Sequence, residues 1–301
     1  MMTYTIFVLL AGIMWGCMGL LVRPLNDIGM QSMDIVALRS YVTFALVALT
    51  SPVLSKLNNS SIKKDIRIRC RDWWVFAGTG IVSIVFFNFC YFNTIMCTSL
   101  SVAAIMLYTA PVFVMLISVP VFGHRISKKK ICCLFLAVVG CCFVTGVLFG
   151  KTTVNGRGIL FGLGAGVGYA LYSIFGKIAT SKGYNSVTVT FYTFLLSSIG
   201  VLPFTDMEKM TDFIQSDYTM ILYALCFIVV TTYLPYIFYT AGLKGMEPGK
   251  ASVIACIEPV SAAIIGCLVY KESINIESAI GITLVIIAIF FNNREGQTAE
   301  K

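Results

Sequence analysis

Residues 251–274 read ASVIACIEPVSAAIIGCLVYKESI, and residues 103–126 read AAIMLYTAPVFVMLISVPVFGHRI. At a shift of 148 the two runs match at Ala103 and Ala251, Pro111 and Pro259, Val112 and Val260, Ile117 and Ile265, Val121 and Val269, and Ile126 and Ile274. The same register carries Tyr91 onto Tyr239. Each run holds about 20 mostly apolar residues, the length an α-helix needs to cross a hydrocarbon core about 30 Å thick. Each also carries a proline at the same interior position, where it removes a backbone hydrogen bond and kinks the helix. One membrane span is therefore present twice. A second register, 154, superposes Ala11 and Gly12 on Ala165 and Gly166, Trp15 on Tyr169, Arg23 on Lys177 and Gly29 on Gly183. The duplicated unit thus extends back to the first span.

Outward from these runs the chain repeats the same texture. Spans are expected at Tyr4–Val22, Met33–Val53, Trp73–Met96, Ser101–Phe122 and Ile131–Leu148, then at Gly158–Phe175, Val187–Pro203, Thr219–Leu243, Ala251–Tyr270 and Ile276–Phe291. Of 301 residues, 58% are hydrophobic and 12% charged, and the mean hydropathy is +0.88. That excess of apolar residues excludes a soluble globular domain. Ten spans of about 20 residues leave only short connections. The fold class is an all-α polytopic membrane protein whose ten transmembrane helices form two inverted five-helix repeats, residues 1–150 and 151–292, followed by a polar tail at 293–301. Inversion follows from parity, because a unit of five crossings returns the chain on the opposite side.

Charge sets the orientation. With both termini cytoplasmic, the inside segments hold sixteen Lys and Arg residues, among them Lys63, Lys64, Arg67, Arg69, Arg71 and Lys128 to Lys130. The outside segments hold five: Arg23, Lys151, Arg157, Lys209 and Lys271. This is a positive-inside distribution. The longest outside loop, Thr205 to Tyr218, is acidic, with Asp206, Glu208, Asp212 and Asp217. The net charge of +8 is then loop topology, and the basic run from Lys63 to Arg71 is an inner-leaflet anchor that needs no nucleic-acid partner. Met1 to Leu10 carries no Lys or Arg and reads as a retained first span, not a cleaved signal. The eleven cysteines lie within or beside spans except Cys70, without a CxxC pair and with one histidine, His124. They read as packing residues, so neither a metal site nor a cofactor is expected.

Inverted repeats around a midplane site are the architecture of alternating access. The residues also resemble a known family. AGIMWGCMGLLVRP (11–24), ALRSYVTFAL (37–46), SLSVAAIMLYTAPVFVMLISVPVFGHRIS (99–127) and KASVIACIEPVSAAIIGCLVYKESINIESAIGITLVIIAI (250–289) are similar to the paired EamA-type halves of the drug/metabolite transporter superfamily. Glu258, Pro259 and Glu272 fall on the family's Glu-Pro and later Glu positions, while His124 stands where the first half commonly has Glu. The resemblance implies ten helices, both termini inside, a central pocket, and fifth and tenth helices at the periphery. Its members carry amino acids, sugars and other metabolites.

Ionisable groups inside the hydrocarbon face the bundle interior and are paired or functional. Arg39 in span 2 and Glu258 in span 9 stand out. At 1.5 Å per residue their heights differ by about 10 Å. Arg39 reads either as a structural partner of a carboxylate or of freed carbonyls, or as a planar fork for a substrate carboxylate or phosphate. Glu258 reads as a structural partner, an ammonium acceptor or a coupling carboxylate. Asn88 and Tyr91 on span 3, and Thr232, Tyr236 and Tyr239 on span 8, share helix faces, and the 148 register maps Asn88 to Tyr236. A substrate pocket is expected there, with walls from Trp15, Tyr108, Tyr169 and Tyr172, and with kinks at Pro111, Pro235 and Pro259. The expected function is a secondary transporter, importer or exporter, for a small polar metabolite such as an amino acid. Its partners are that molecule, the bilayer of the plasma (inner) membrane and protons as a candidate coupling ion, with a homodimer left open. The alternative is an intramembrane lipid-modifying enzyme, which would need a cluster of His, Asp, Glu or Cys near one interface; the sequence holds none.

Overall fold

The structure, a computed structural model, describes residues 2–57, 66–123, 126–145, 156–215, 217–271 and 275–298. His124, Lys63, Lys64, Lys151, Glu272 and Ile274, singled out in the sequence, lie outside them. Helices are named in chain order: α1 Met2–Gly16, α2 Ser32–Leu57, α3 Cys70–Cys97, α4 Val102–Phe122, α5 Lys128–Val144, α6 Gly156–Ser181, α7 Ser186–Val201, α8 Tyr218–Gly245, α9 Pro248–Val269 and α10 Ile276–Thr298. No strand occurs among the described residues.

Among the described residues eight helices, all but α1 and α5, are long and apolar enough to cross a membrane. Those two have 15 and 17 residues, so the expectation of ten spans is met in part. For α1 the shortfall is local. Cys17 keeps right-handed helical φ and ψ, and Met18–Leu21 carries the helix on, so residues 2–21 rise about 30 Å.

Packing obeys the repeat. α1 packs on α8 and α9, α6 on α3 and α4, α2 on α7, α4 on α9, and α5 on α10. Exchanging each helix for the one five places along maps this set onto itself. Backbone irregularities repeat in the same registers. α3 is π-helical over Gly78–Val85 and α8 over Val229–Tyr233, overlapping at the shift of 148. α4 breaks at Tyr108 and α9 at Cys256, 148 residues on. Positive φ occurs at Gly29 and Gly183, 154 apart, and at Gly123 and Lys271, 148 apart.

One pair of glycines explains how the broken helices are held. A Cβ on Gly12 would stand 2.5 Å from the Ile257 side chain and 3.3 Å from the Ala255 carbonyl oxygen, and one on its counterpart Gly166 would stand 2.6 Å from Thr109 Oγ1 and 3.0 Å from the Met106 carbonyl oxygen. α1 and α6 therefore press their backbones against the breaks in α9 and α4, where helix carbonyls lose their regular partners.

Helix ends depart from expectation where polar side chains support them. α6 runs to Ser181, six residues past the expected Phe175, and within this added stretch Lys177 Nζ donates to the carbonyl of Leu243 at 2.8 Å, satisfying a carbonyl in the last turn of α8. α10 continues helically into the tail expected from residue 293. In the acidic loop Met207–Ile214 is an unexpected helix, capped by Asp206, whose Oδ1 accepts from the backbone N–H groups of Glu208 and Lys209. It buries Met210 and Phe213 against Leu25, Met30 and Phe227.

Candidate functional site

The breaks, the π-turns and the glycine contacts converge on the middle of the bundle. An aromatic cluster lies there: the Trp15 ring is 5.5 Å from Tyr236, 5.2 Å from Tyr239 and 6.2 Å from Tyr169, and Tyr172 meets Tyr236 edge-on at 5.0 Å. Above it a cavity of about 550 Å³ extends to the connection between α1 and α2.

Eight of the eleven expected binding and charged residues line this cavity: Trp15, Arg39, Asn88, Tyr91, Tyr108, Tyr169, Tyr236 and Glu258. Tyr172, Tyr239 and Thr232 do not. The Tyr172 hydroxyl pairs with Thr240 Oγ1 at 2.9 Å and that of Tyr239 with Ser173 Oγ at 2.7 Å, so both form a buried layer behind the wall. Thr232 acts through its neighbour, its Oγ1 accepting from Arg39 Nε at 2.8 Å. Its place in the π-turn just before Pro235 brings it there. Pro111 and Pro259 each follow a helix break by two or three residues.

Glu258 sits two residues past the α9 break, where Tyr169 donates to Oε2 at 3.5 Å. Arg39 and Glu258 thus share a cavity while their hydrogen bonds go to Thr232 and Tyr169, not to each other. Asn88 lines the wall while its amide nitrogen donates to the Ile84 carbonyl at 2.7 Å. Arg23, Asn26 and Ser32 near the mouth, with Phe87, Phe92 and Phe227 within, complete a mostly apolar lining that sequence spacing did not single out. For Arg23 a signal existed, its register match to Lys177.

At the opposite end, where the termini lie, the helices are tied to one another. Lys130 pairs with Glu247 at 2.6 Å and Lys182 with Asp72 at 2.6 Å. Lys250 Nζ donates to the Asn293 carbonyl, and Asn292 Nδ2 to that of Lys250. The Tyr4 ring covers Gly245. Among the described residues no cluster of three or more His, Cys, Asp or Glu can hold a metal ion.

A model of the EamA-like transporter family matches residues 2–146 and again 156–294. The chain belongs to the EamA-like transporter family. Relatives of this EamA-like protein include an uncharacterized transporter of Archaeoglobus fulgidus, 28% identical over 71% of this chain and 76% of the relative. The uncharacterized transporter YetK of Bacillus subtilis is 26% identical over 73% of this chain and 68% of its own. One from Clostridium kluyveri is 22% identical over 98% and 94%. A solved crystal structure superposes with a TM-score of 0.77 over 99% of both chains at 14% identity, a likeness of fold alone. This EamA-like chain is an integral membrane protein of a transporter family.

Proposed function

We propose that the protein is a secondary transporter that moves a small polar metabolite, of the amino-acid class, across the plasma membrane by alternating access, with both termini cytoplasmic and the cavity facing outward. The observation that carries this reading is one mid-bundle cavity of about 550 Å³ whose mostly apolar wall includes Arg39 and Glu258. A few placed polar groups in an apolar pocket suit a small ligand, and opposite charges held by other partners suit the two ends of a zwitterion. Residues tied together at the terminal end and a cavity reaching the other suit one of two access states. A carboxylate in such a cavity also suits proton coupling.

The test is a metabolite panel in proteoliposomes, with and without a proton gradient. Amino acids should exchange across the membrane, and a gradient should drive net accumulation. Exchange confined to molecules lacking a carboxylate or an amine overturns the substrate class, and accumulation indifferent to the gradient overturns the coupling.

A further inference from the structure

The repeat registers carry the cavity lining onto a second set of residues. Adding 154 takes Gly19 to Ser173, Arg23 to Lys177 and Arg39 to Thr193; adding 148 takes Tyr91 to Tyr239 and Tyr108 to Cys256; subtracting 148 takes Gly266 to Ser118. The same two shifts align the π-turns, the helix breaks and the positive-φ residues, so the mapping is structural as well as textual.

In the present state this second set is packed together. Ser173 pairs with Tyr239, and Thr193 Oγ1 donates to Thr79 Oγ1 at 2.7 Å, Thr79 being the counterpart of cavity-lining Phe227. Lys177 is anchored on the α8 carbonyls. Ser118 is 4% exposed, its hydroxyl has no hydrogen-bond partner, and it borders a void of about 20 Å³ flanked by Lys130 and Glu247. Buried hydroxyls that satisfy one another can exchange those bonds for water at little net free energy, because a hydrogen bond contributes only about 1 kcal/mol over its hydrated alternative.

We infer that these residues line a second vestibule, collapsed here, which opens at the terminal end in the opposite access state. There Ser173, Thr193, Tyr239 and Ser118 meet the substrate, and Lys177, released from Leu243 and Lys244, takes the place Arg23 holds at the other mouth. A cation at both mouths suits a substrate bearing an anionic group such as a carboxylate. The inference rests on the alternating-access reading.

Cys256 is a native reporter. It and Cys90 are each 3% exposed, and only Cys256 maps onto a lining residue. The full chain in detergent is treated with methanethiosulfonate ethylammonium and each modified cysteine is located by mass spectrometry. Cys256 should react at least about tenfold faster than Cys90, a difference of about 1.4 kcal/mol in opening. Lys177→Met or Lys130→Met, each removing a tie at the closed end, should accelerate Cys256 several-fold and slow a Tyr91→Cys reporter in the present cavity. Cys256 reacting no faster than Cys90 in wild type and both variants, with Tyr91→Cys reactive, overturns the second vestibule and leaves transport standing. An inert Tyr91→Cys overturns both readings.

Discussion

Arg39 presents a planar fork, one nitrogen of which is committed to Thr232 while the group lines the cavity. Lysine keeps the charge and loses the fork. Arg39→Lys should therefore raise the apparent KM for a carboxylate substrate about tenfold or more, since a hydrogen bond to a charged group is worth about 1.5–3 kcal/mol, with protein yield near wild type. Uptake assays on the purified variant check this. Glu258→Gln retains shape and the contact with Tyr169 but carries no titratable proton. It should preserve exchange and abolish the response of net uptake to a pH gradient; exchange lost together with folded protein would mark a structural role instead. The sequence brought these two charges and the matched faces of α3 and α8 to notice, but spacing alone could not separate Tyr236 from Tyr239. Three residues turn a helix about 300°. The remaining 60° sends Tyr236 to the cavity and Tyr239 to Ser173 on α6, and that outcome depends on a neighbour no single helix reveals.

At the scale of helices, the cores of the spans were legible because hydrophobic runs of membrane length have few alternatives. The ends were less so, because side-chain bonds to backbone groups act there: Lys177 satisfies a carbonyl at the end of α8, and Asp206 starts a short helix in a loop that reads as merely acidic. Outside the spans, the hydrogen bond from Thr219, then the backbone N–H bonds, holds the Asp217 carboxyl below its ordinary value at the start of α8. The repeat also exposes a local conflict. The first unit ends α4 with Gly123 at φ +67, whereas the second ends the corresponding helix with Lys271 at φ +56, the one non-glycine with positive φ among the described residues. A side chain there costs roughly 1–2 kcal/mol relative to glycine. Lys271→Gly should accordingly stabilise the protein by about 1 kcal/mol, read as a higher melting temperature in detergent. Gly166→Leu should do the reverse, costing about 1–3 kcal/mol by forcing α6 from the break in α4.

For the whole molecule, the duplicated pattern predicts an internal two-fold relation, and the exchange of α1–α8 for α6–α3 contacts realises it. The direction in which the cavity faces is a separate matter, and the proposal for it comes from the sign of the loops. Sixteen basic residues against five support the proposed cytoplasmic placement of the terminal end, and the basic ties Lys130–Glu247 and Lys182–Asp72 lie at that end. Cys70, exposed at the start of α3, should then be inaccessible to an impermeant maleimide in intact cells and react promptly once they are permeabilised. Asp212→Cys, on the exposed short helix of the opposite face, should react before permeabilisation. Mass spectrometry that assigns the label to each residue keeps the other cysteines from obscuring the result. If Cys70 labels first, the cavity faces the cytoplasm, the proposed vestibule opens outward, and a test of the proposed coupling through Glu258 must apply its gradient from the other side.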